Sequence, residues 1–273
     1  MRLYPEFLCK DPVFAPDDQM PGIDGLDIVS QGSHLYGYML FPGGPREEKH
    51  PCVIMFHGFP GNTTNNDISQ GLRRMGCMVV NPFHRGAWGS EGLYTFSGLL
   101  EDTIAVARWV YREDVAQRYK IDREQIYLVG ISMGGFTTLH TLASLPWIKG
   151  AVAMAPGDLA WLADAQCPER RQMLKAMIQE THCLKIASPQ ALYDDAVSHA
   201  TSLALSRIAP TLRERNLYLI GGTRDVVVPS REVHDPFWAL LRQHRTTGIH
   251  KYEMLEADHD FSNCRMELSI KTG

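Results

Sequence analysis

Residues 125–136, QIYLVGISMGGF, decide the fold that this sequence predicts. Residues 126–129, IYLV, are apolar, β-branched or aromatic, which is typical of a strand buried on both faces. Gly130, Ser132 and Gly134 follow in a Gly-x-Ser-x-Gly pattern, and residues 136–145 have apolar positions at helical spacing. A strand, this pattern and a helix in succession indicate a sharp turn that exposes a serine hydroxyl, known as a nucleophile elbow.

The two outer glycines of this pattern have a steric explanation. The serine stands at the tip of a turn with strained backbone angles, where side chains two residues before and after it would clash. The backbone N–H of Met133 then opens the following helix and points to where an oxyanion would form. Because the pentapeptide alone also arises by chance, the interpretation depends on its flanking elements and on partners elsewhere in the chain.

The composition is that of an ordinary globular protein. The chain has 273 residues, of which 44% are hydrophobic and 21% charged, enough for one large α/β domain or two small ones. A net charge of −4 offers no basic face for nucleic acid. No apolar run approaches the roughly 18 residues of a membrane span, and the N-terminus does not resemble a signal peptide. We therefore expect no nucleic-acid or membrane partner and a cytoplasmic location.

Cysteine and histidine spacing gives no support for a metal site. The six cysteines form no C-x-x-C pair, and without an export signal they predict reduced thiols. The eleven histidines include no H-E-x-x-H motif and no close cluster with cysteine. We expect neither a metal nor a cofactor.

Short apolar runs alternate with helical patterns along most of the chain. The predicted strands cover residues 26–31, 34–41, 52–56, 77–81, 126–129, 150–155, 216–220 and 249–255, and the first two form an antiparallel pair. The predicted helices between and after them cover residues 66–74, 98–119, 136–145, 201–208 and 230–244.

One segment interrupts this alternation. Residues 159–199 contain no buried-strand run but carry polar helical segments at 168–180 and 188–196, and the segment is too long for an ordinary connection. We interpret residues 158–199 as an inserted helical cap and residues 1–157 and 200–273 as the core. Trp161 in the cap is a candidate for lining the site, although such side chains also serve to pack a cap onto its core.

Two glycine-rich loops follow predicted strands. Residues 57–61, HGFPG, come directly after the strand at 52–56, a pattern that supplies an oxyanion donor, here the backbone N–H of Phe59. We interpret His57 as a ring that braces this loop. In the second loop, residues 85–92, Arg85 and Trp88 are candidates for a substrate mouth. A structural loop in which Arg85 pairs with a carboxylate is at least as well supported.

An acid and a histidine follow two later strands. Asp225 lies just past the strand at 216–220, where α/β sheets place functional groups. His259 lies on the loop after the strand at 249–255. Asp158, after the strand at 150–155, is a rival for the acid. Asp258 and Asp260 flank the histidine, but adjacent residues seldom aim correctly at the neighbouring ring.

Taken together, the motifs HGFPG, GISMGG, GGTRDVVVP and ADHDFS and the order Ser132, Asp225, His259 resemble the α/β-hydrolases over nearly the whole chain. The RGAWGSEG loop and the short cap are similar to carboxylesterases related to prolyl oligopeptidases, with feruloyl (cinnamoyl) esterases the nearest type. This resemblance implies an α/β-hydrolase fold: a mostly parallel eight-stranded sheet, helices on both faces and a small helical cap after the sixth strand. The chain departs from the family in its last predicted helix, which is usually longer.

The resemblance also implies a serine hydrolase that cleaves carboxylic esters, with small or aromatic acyl groups, through an acyl-enzyme intermediate. Ser132 would attack, His259 would carry the proton, and Asp225 would orient the imidazole. The N–H groups of Phe59 and Met133 would bind the oxyanion. An aminopeptidase, amidase or thioesterase with the same triad and a non-catalytic scaffold are the open alternatives. The expected partner is a small-molecule ester, and a homodimer stays open.

Overall fold

The computed structural model describes residues 3–45 and 47–273. The strands are β1 Gly22–Ser30, β2 Ser33–Phe41, β3 His50–Phe56, β4 Met78–Pro82, β5 Ile121–Ile131, β6 Gly150–Met154, β7 Leu217–Gly222 and β8 His250–Leu255. They form one sheet in the spatial order β1-β2-β4-β3-β5-β6-β7-β8. The β1–β2 and β2–β4 pairs are antiparallel and the other neighbours are parallel, which confirms the predicted mostly parallel eight-stranded sheet.

Helices connect these strands and cover the sheet. A 3₁₀ turn at Pro5–Phe7 precedes β1. The α-helices are α1 Asn66–Arg74, α2 Gly98–Tyr111, α3 Glu113–Arg118, α4 Met133–Ser144, α5 Leu159–Leu162, α6 Pro168–Gln179, α7 Pro189–His199, α8 Leu205–Leu212, α9 His234–Arg242 and α10 Arg265–Thr272.

The sheet is buried on both faces, which confirms the predicted layers. Neighbouring residues of β3 point to opposite sides: Ile54 packs in the cluster that includes Leu139 of α4, and Met55 packs in the cluster that includes Leu268 of α10. Fully burying a side chain of this size stabilises the fold by about 1.5–3 kcal/mol. A continuous apolar run such as that of β3 is therefore what a central strand between two helix layers requires.

Some predicted helix boundaries were wrong. The helix expected over residues 98–119 is divided into α2 and α3, because Arg112 has an extended backbone with φ −60° and ψ 142°. The Arg112 guanidinium pairs with Asp114 at the start of α3. Neither glycine nor proline marks this break, so the helical period runs through it. Helices α8 and α9 begin at Leu205 and His234, later than the predicted starts at residues 201 and 230.

Helices α5, α6 and α7 make up most of the segment that interrupts the strand–helix alternation, and α6 and α7 confirm the two helices predicted there. The buried side chains of Leu159, Leu174 and Leu192 belong to the same apolar cluster as α4. The segment is therefore packed against the body of the protein. Its assignment to a cap over residues 158–199, apart from a core of residues 1–157 and 200–273, stays a prediction.

Candidate active site

Ser132 occupies the turn between β5 and α4 and has φ 57° and ψ −120°. Residues other than glycine rarely adopt a positive φ, and such strain persists only where the surroundings enforce it. Here the Ser132 N–H donates to the carbonyl of Met154 at 2.9 Å. The Ser132 carbonyl accepts the N–H groups of Phe136 at 2.9 Å and Gly157 at 3.1 Å. These three bonds hold the backbone so that the side chain stands at the tip of the turn.

Two glycines allow this turn to pack closely. A Cβ at Gly130 would lie 2.2 Å from the carbonyl oxygen of Gly134, and a Cβ at Gly134 would lie 2.2 Å from the carbonyl oxygen of Phe56. Both distances are far shorter than a non-bonded contact allows. The strand, the serine and the helix can therefore meet only if both positions are glycine.

Asp225 and His259 are joined by a hydrogen bond. His259 Nδ1 lies 2.7 Å from Asp225 Oδ2, and a carboxylate partner makes this nitrogen the donor. The other oxygen, Oδ1, accepts the backbone N–H groups of Val227 and Val228, both at 2.8 Å. The Asp225 side chain is fully buried, whereas that of His259 is 13% exposed. The carboxylate is thus fixed on both oxygens and orients the imidazole.

The sheet brings the three predicted residues of the triad to one edge. Ser132 follows the carboxyl end of β5, Asp225 follows that of β7 and His259 follows that of β8. These strands belong to the parallel part of the sheet. In open α/β sheets, ligands bind outside the carboxyl ends of the strands.

A small cavity of about 20 Å³ opens beside the serine. Ser132, Phe59, Met133 and Trp161 all line it, so the candidate nucleophile, the two candidate oxyanion residues and one candidate lining residue lie together. Val227 and Val228 also line the cavity and were not among the site residues predicted from the sequence. The signal that could have found them is the unusual apolar run in the polar loop that carries Asp225.

The comparison with known families agrees with this geometry. The family described as alpha/beta hydrolase fold matches residues 58–261, which is most of the chain. This chain belongs to the alpha/beta hydrolase fold family.

The proteins that are similar to this alpha/beta hydrolase include some that are named esterases. The protein named "Putative esterase YitV", from Bacillus subtilis (strain 168), is 25% identical over 228 residues, which are 78% of this chain and 85% of YitV. The solved structure of the Pyrococcus furiosus esterase PF2001 has a TM-score of 0.65 and 19% identity, and the match covers 92% of this chain and 88% of PF2001.

A peptidase is also among the similar structures. The Pyrococcus horikoshii acylaminoacyl peptidase has a TM-score of 0.68 and 15% identity, and the match covers 93% of this chain but 40% of the peptidase. Likeness to solved structures at such identities shows the fold. The family match and the related esterases together support a hydrolase of the esterase type.

His57 braces the loop that carries Phe59 in this alpha/beta hydrolase. The buried ring has Nδ1 2.8 Å from the carbonyl of Gly58, and its Nε2 accepts the N–H of His84 at 3.3 Å. Burial lowers the pKa of His57 to about 4. A neutral ring with both nitrogens engaged serves as a structural brace, as the sequence analysis expected.

Burial keeps further histidines neutral. It lowers the pKa to about 4 for His140 and His234 as well, and brings that of His84 well below its ordinary value. His140 Nε2 lies 2.9 Å from the carbonyl of Leu203, and His234 Nε2 lies 3.1 Å from the carbonyl of Pro156. We refer to His57, His84, His140 and His234 as the buried histidines.

Arg85 and Trp88 both have structural contacts within the fold. The Arg85 guanidinium pairs with the buried carboxylate of Asp102 at 2.8 Å, and the Arg85 N–H donates to the same carboxylate at 2.9 Å. Trp88 Nε1 donates to the carbonyl of Gly61 at 2.7 Å. Neither side chain is part of the cavity lining. These contacts favour the structural alternative for Arg85, and a role in substrate binding for either residue stays a prediction.

The rival acid Asp158 has a different function in the fold. Its carboxylate accepts the backbone N–H of Ala160 at 2.9 Å and so caps α5. Burial raises the pKa of Asp158. Asp225, and not Asp158, is therefore the carboxylate that is hydrogen-bonded to His259.

Other features of the described chain do not compete with this site. A larger cavity of about 560 Å³ lies beside α10, where Gly150 and Leu217 at the amino ends of β6 and β7 line it. Within residues 3–45 and 47–273, no group of three or more histidine, cysteine or acidic side chains is arranged to hold a metal ion. Across the same residues, none of the helices has both the length and the apolar character needed to span a membrane.

Proposed function

We propose that this protein is a serine hydrolase that cleaves carboxylic esters of small or aromatic acids through an acyl-enzyme intermediate. The observation that carries the proposal is the strained backbone of Ser132, at φ 57° and ψ −120°, on the same sheet edge as the hydrogen-bonded pair of Asp225 and His259. Strain of this kind collects at functional sites, where it presents a side chain that a relaxed turn would not.

The proposed chemistry assigns one task to each residue of the triad. Nε2 of His259 takes the proton of the Ser132 hydroxyl as the oxygen attacks the ester carbonyl, and it then gives that proton to the leaving alcohol. Asp225 keeps the His259 proton on Nδ1 and stabilises the imidazolium. Water repeats the sequence on the acyl-enzyme and releases the acid.

The N–H groups of Phe59 and Met133 are the proposed donors to the tetrahedral oxyanion. Both residues line the cavity that contains Ser132, and Met133 is the first residue of α4. Two fixed backbone donors favour the charge that develops on the carbonyl oxygen. Loss of one such donor typically raises the barrier by about 3–4 kcal/mol.

Labelling with a fluorophosphonate probe tests the proposal. We expect intact-mass and peptide mapping to find one adduct on Ser132, and we expect hydrolysis of p-nitrophenyl acetate. Ser132→Ala should abolish both, and His259→Ala should slow both. A folded wild-type protein that neither reacts with the probe nor cleaves the ester would be a non-catalytic scaffold instead.

The structural likeness to acylaminoacyl peptidase favours one second candidate, cleavage of amides or peptides by the same triad. The acyl half of that reaction is shared with esters, so a substrate panel must separate them. Aminoacyl p-nitroanilides, acyl thioesters and p-nitrophenyl esters should be compared by kcat/KM. The ester assignment requires that the ester has a higher kcat/KM than the amide and the thioester when their leaving groups are matched.

Residues 158–199 are proposed as the cap that forms one wall of the acyl cavity, because Trp161 and Met177 of this segment line it. A small-molecule ester is the proposed partner, and no step requires a cofactor. The homodimer and the cytoplasmic location stay predictions from the sequence.

A further inference from the structure

The cavity beside Ser132 has room for one small group. Its volume is about 20 Å³. A cavity must offer about 10–15 Å³ to hold a single water. The cavity beside Ser132 is therefore small, and a long alkyl chain or an aromatic ring requires its wall to move.

The position of His259 identifies which half of an ester enters this cavity. On the proposed mechanism, the imidazole gives its proton to the leaving alcohol, so the alcohol must face His259. His259 is not part of the cavity lining, whereas Phe59 and Met133, the proposed oxyanion residues, are. The group that enters is therefore the acyl half of the ester.

The wall of the cavity is mainly apolar. Leu162 and Val228 are buried, and Met177 reaches the cavity from α6. Asp158 is the acidic residue in the lining, and its carboxylate already accepts a backbone N–H at the start of α5. An apolar wall with a carboxylate at its edge suits a neutral acyl group and disfavours an anionic one.

Trp161 is held in this wall by a hydrogen bond and a cation–π contact. Its Nε1 donates to Glu232 Oε2 at 3.2 Å, and Arg170 donates to the same oxygen at 2.7 Å. The Arg170 guanidinium also lies over the Trp161 ring, 4.7 Å from its centroid. The indole is thus bound at its edge by Glu232 and covered on one face by Arg170. We call these three side chains the tryptophan clamp.

The tryptophan clamp joins two parts of the chain. Arg170 belongs to α6, whereas Glu232 lies in the turn before α9, and Arg170 is anchored further by Asp164 at 3.3 Å. The guanidinium is only partly exposed, which makes its ion pair with Glu232 stronger than that of a fully solvated pair. Movement of Trp161 away from the cavity therefore requires the loss of a charged hydrogen bond and a cation–π contact.

We propose that the tryptophan clamp restricts this hydrolase to short, neutral acyl groups of about acetyl size, and that Arg170 and Glu232 act as positioning residues for Trp161. This rests on the proposed function, since it assumes an acyl group attached at Ser132. It narrows that function, because aromatic acyl groups such as hydroxycinnamates are then poor substrates.

The test is the dependence of kcat/KM on the acyl group for the p-nitrophenyl esters of acetate, butyrate and octanoate, with p-nitrophenyl ferulate and p-nitrophenyl hemisuccinate beside them, so that the leaving group is the same throughout. For the wild type we expect octanoate to fall about 100-fold below acetate, with ferulate and hemisuccinate lower still, since bulk and charge are both excluded. Trp161→Ala should raise the octanoate-to-acetate ratio at least about tenfold. Glu232→Ala should raise it in the same direction but by less, because the indole is loosened and not removed.

Asp114→Ala supplies a matched control for Glu232→Ala. It also removes an exposed acidic partner of an arginine, in this case Arg112 beside α3, the helix that precedes the amino end of β5. The octanoate-to-acetate ratio of this variant should equal that of the wild type. Thermal unfolding of each variant shows whether it is folded, and a ratio of two substrates does not depend on the active fraction.

The outcomes separate this proposal from the function on which it rests. If Ser132 is labelled but octanoate or ferulate is cleaved as fast as acetate, the acyl-size limit is refuted and the hydrolase assignment stands. If the ratio stays at the wild-type value in folded Trp161→Ala and Glu232→Ala, the clamp does not set the limit and the proposal is again overturned. If Ser132 is not labelled and no ester is cleaved, the proposed function fails first and the acyl limit fails with it.

Discussion

Replacement of Asp225 by asparagine reverses the direction of one hydrogen bond in the proposed triad. Oδ1 of Asp225 accepts two backbone N–H groups at 2.8 Å, so the amide oxygen of asparagine must occupy that position. The opposite orientation would aim the NH₂ group at those two donors and leave both unpaired, at about 1–3 kcal/mol each. The NH₂ group therefore faces His259 and donates to its Nδ1. The imidazole proton then resides on Nε2, the atom that must accept the serine proton.

The size of the effect follows from this change of tautomer. Asp225 Oδ2 lies 2.7 Å from His259 Nδ1, and the fully buried side chain offers no room for water to replace it. In a serine protease, the equivalent change lowers kcat by about 10⁴-fold. We expect the same loss for Asp225→Asn, which corresponds to about 5.4 kcal/mol of transition-state stabilisation at about 1.36 kcal/mol for each factor of ten.

The assay is the steady-state hydrolysis of p-nitrophenyl acetate by Asp225→Asn, with Asp260→Asn as the matched control. Asp260 is an exposed neighbour of His259 in the sequence, and its replacement should change kcat by less than about threefold. A value of kcat for Asp225→Asn above one tenth of the wild type would refute the reasoning. Asp158→Asn would then be tested, and a large loss there would transfer the role of the acid to Asp158.

Three further predictions address the turn, the loop and the buried charges. Gly130→Ala should lower the free energy of unfolding by about 3 kcal/mol in urea titrations, because its new methyl group would overlap the backbone of Gly134. The control Gly25→Ala should change it by less than about 0.5 kcal/mol, because its methyl group meets nothing within 4 Å. Arg85→Ala should lower the free energy of unfolding by about 3–5 kcal/mol, because it leaves the buried carboxylate of Asp102 without its cationic partner. The value of kcat/KM per folded molecule should stay within about threefold of the wild type. A large loss of kcat/KM without a loss of stability would instead indicate that Arg85 contacts the substrate. In the unfolded chain the buried histidines bind protons near pH 6.5, whereas folded His140 binds its proton only near pH 4. Between these two pH values the unfolded state therefore binds more protons than the folded state. The free energy of unfolding should therefore be highest above pH 6.5 and fall toward pH 4. His57, His140 and His234 each contribute at most about 1.4 kcal/mol per pH unit to this fall, and His140→Gln should remove one such contribution from the urea titrations.

The parts of the fold that the sequence predicted well are those with a local physical signal. Residues 52–56 of β3 and 126–129 of β5 lie between two helix layers, so these parts of the strands are continuously apolar and can be read directly. The polar residues 122–125 at the start of β5 carry no such signal, and the strand begins earlier than predicted. The elbow was also predictable, because a strained serine between a strand and a helix demands glycine at fixed positions. The break at Arg112 had no such signal, since an arginine with an extended backbone resembles any other residue of an amphipathic helix.

Contacts between distant segments were not predictable from one sequence. Arg170 and Glu232 are 62 residues apart, and each looks like an ordinary surface charge in its own segment. The partner of Arg85 was hidden for a similar reason, because Asp102 lies on the buried side of a helix whose period is otherwise apolar. Side chains of this kind acquire a role only when tertiary packing removes them from water.

The order of the three proposed catalytic residues along the chain has a consequence for the activity of the protein during its synthesis. Ser132 precedes β6, whereas Asp225 follows β7 and His259 follows β8, the last strand and an outer one. Chains leave the ribosome N-terminus first, and a domain generally folds as a unit. If the proposed roles are correct, a nascent chain contains the nucleophile Ser132 long before it contains the base His259. Translation products that end before residue 259 should therefore not cleave esters. Recovery of ester hydrolysis after refolding would therefore show that β8 has paired with β7 and that His259 is in place. Collapse of the chain alone would not restore the activity.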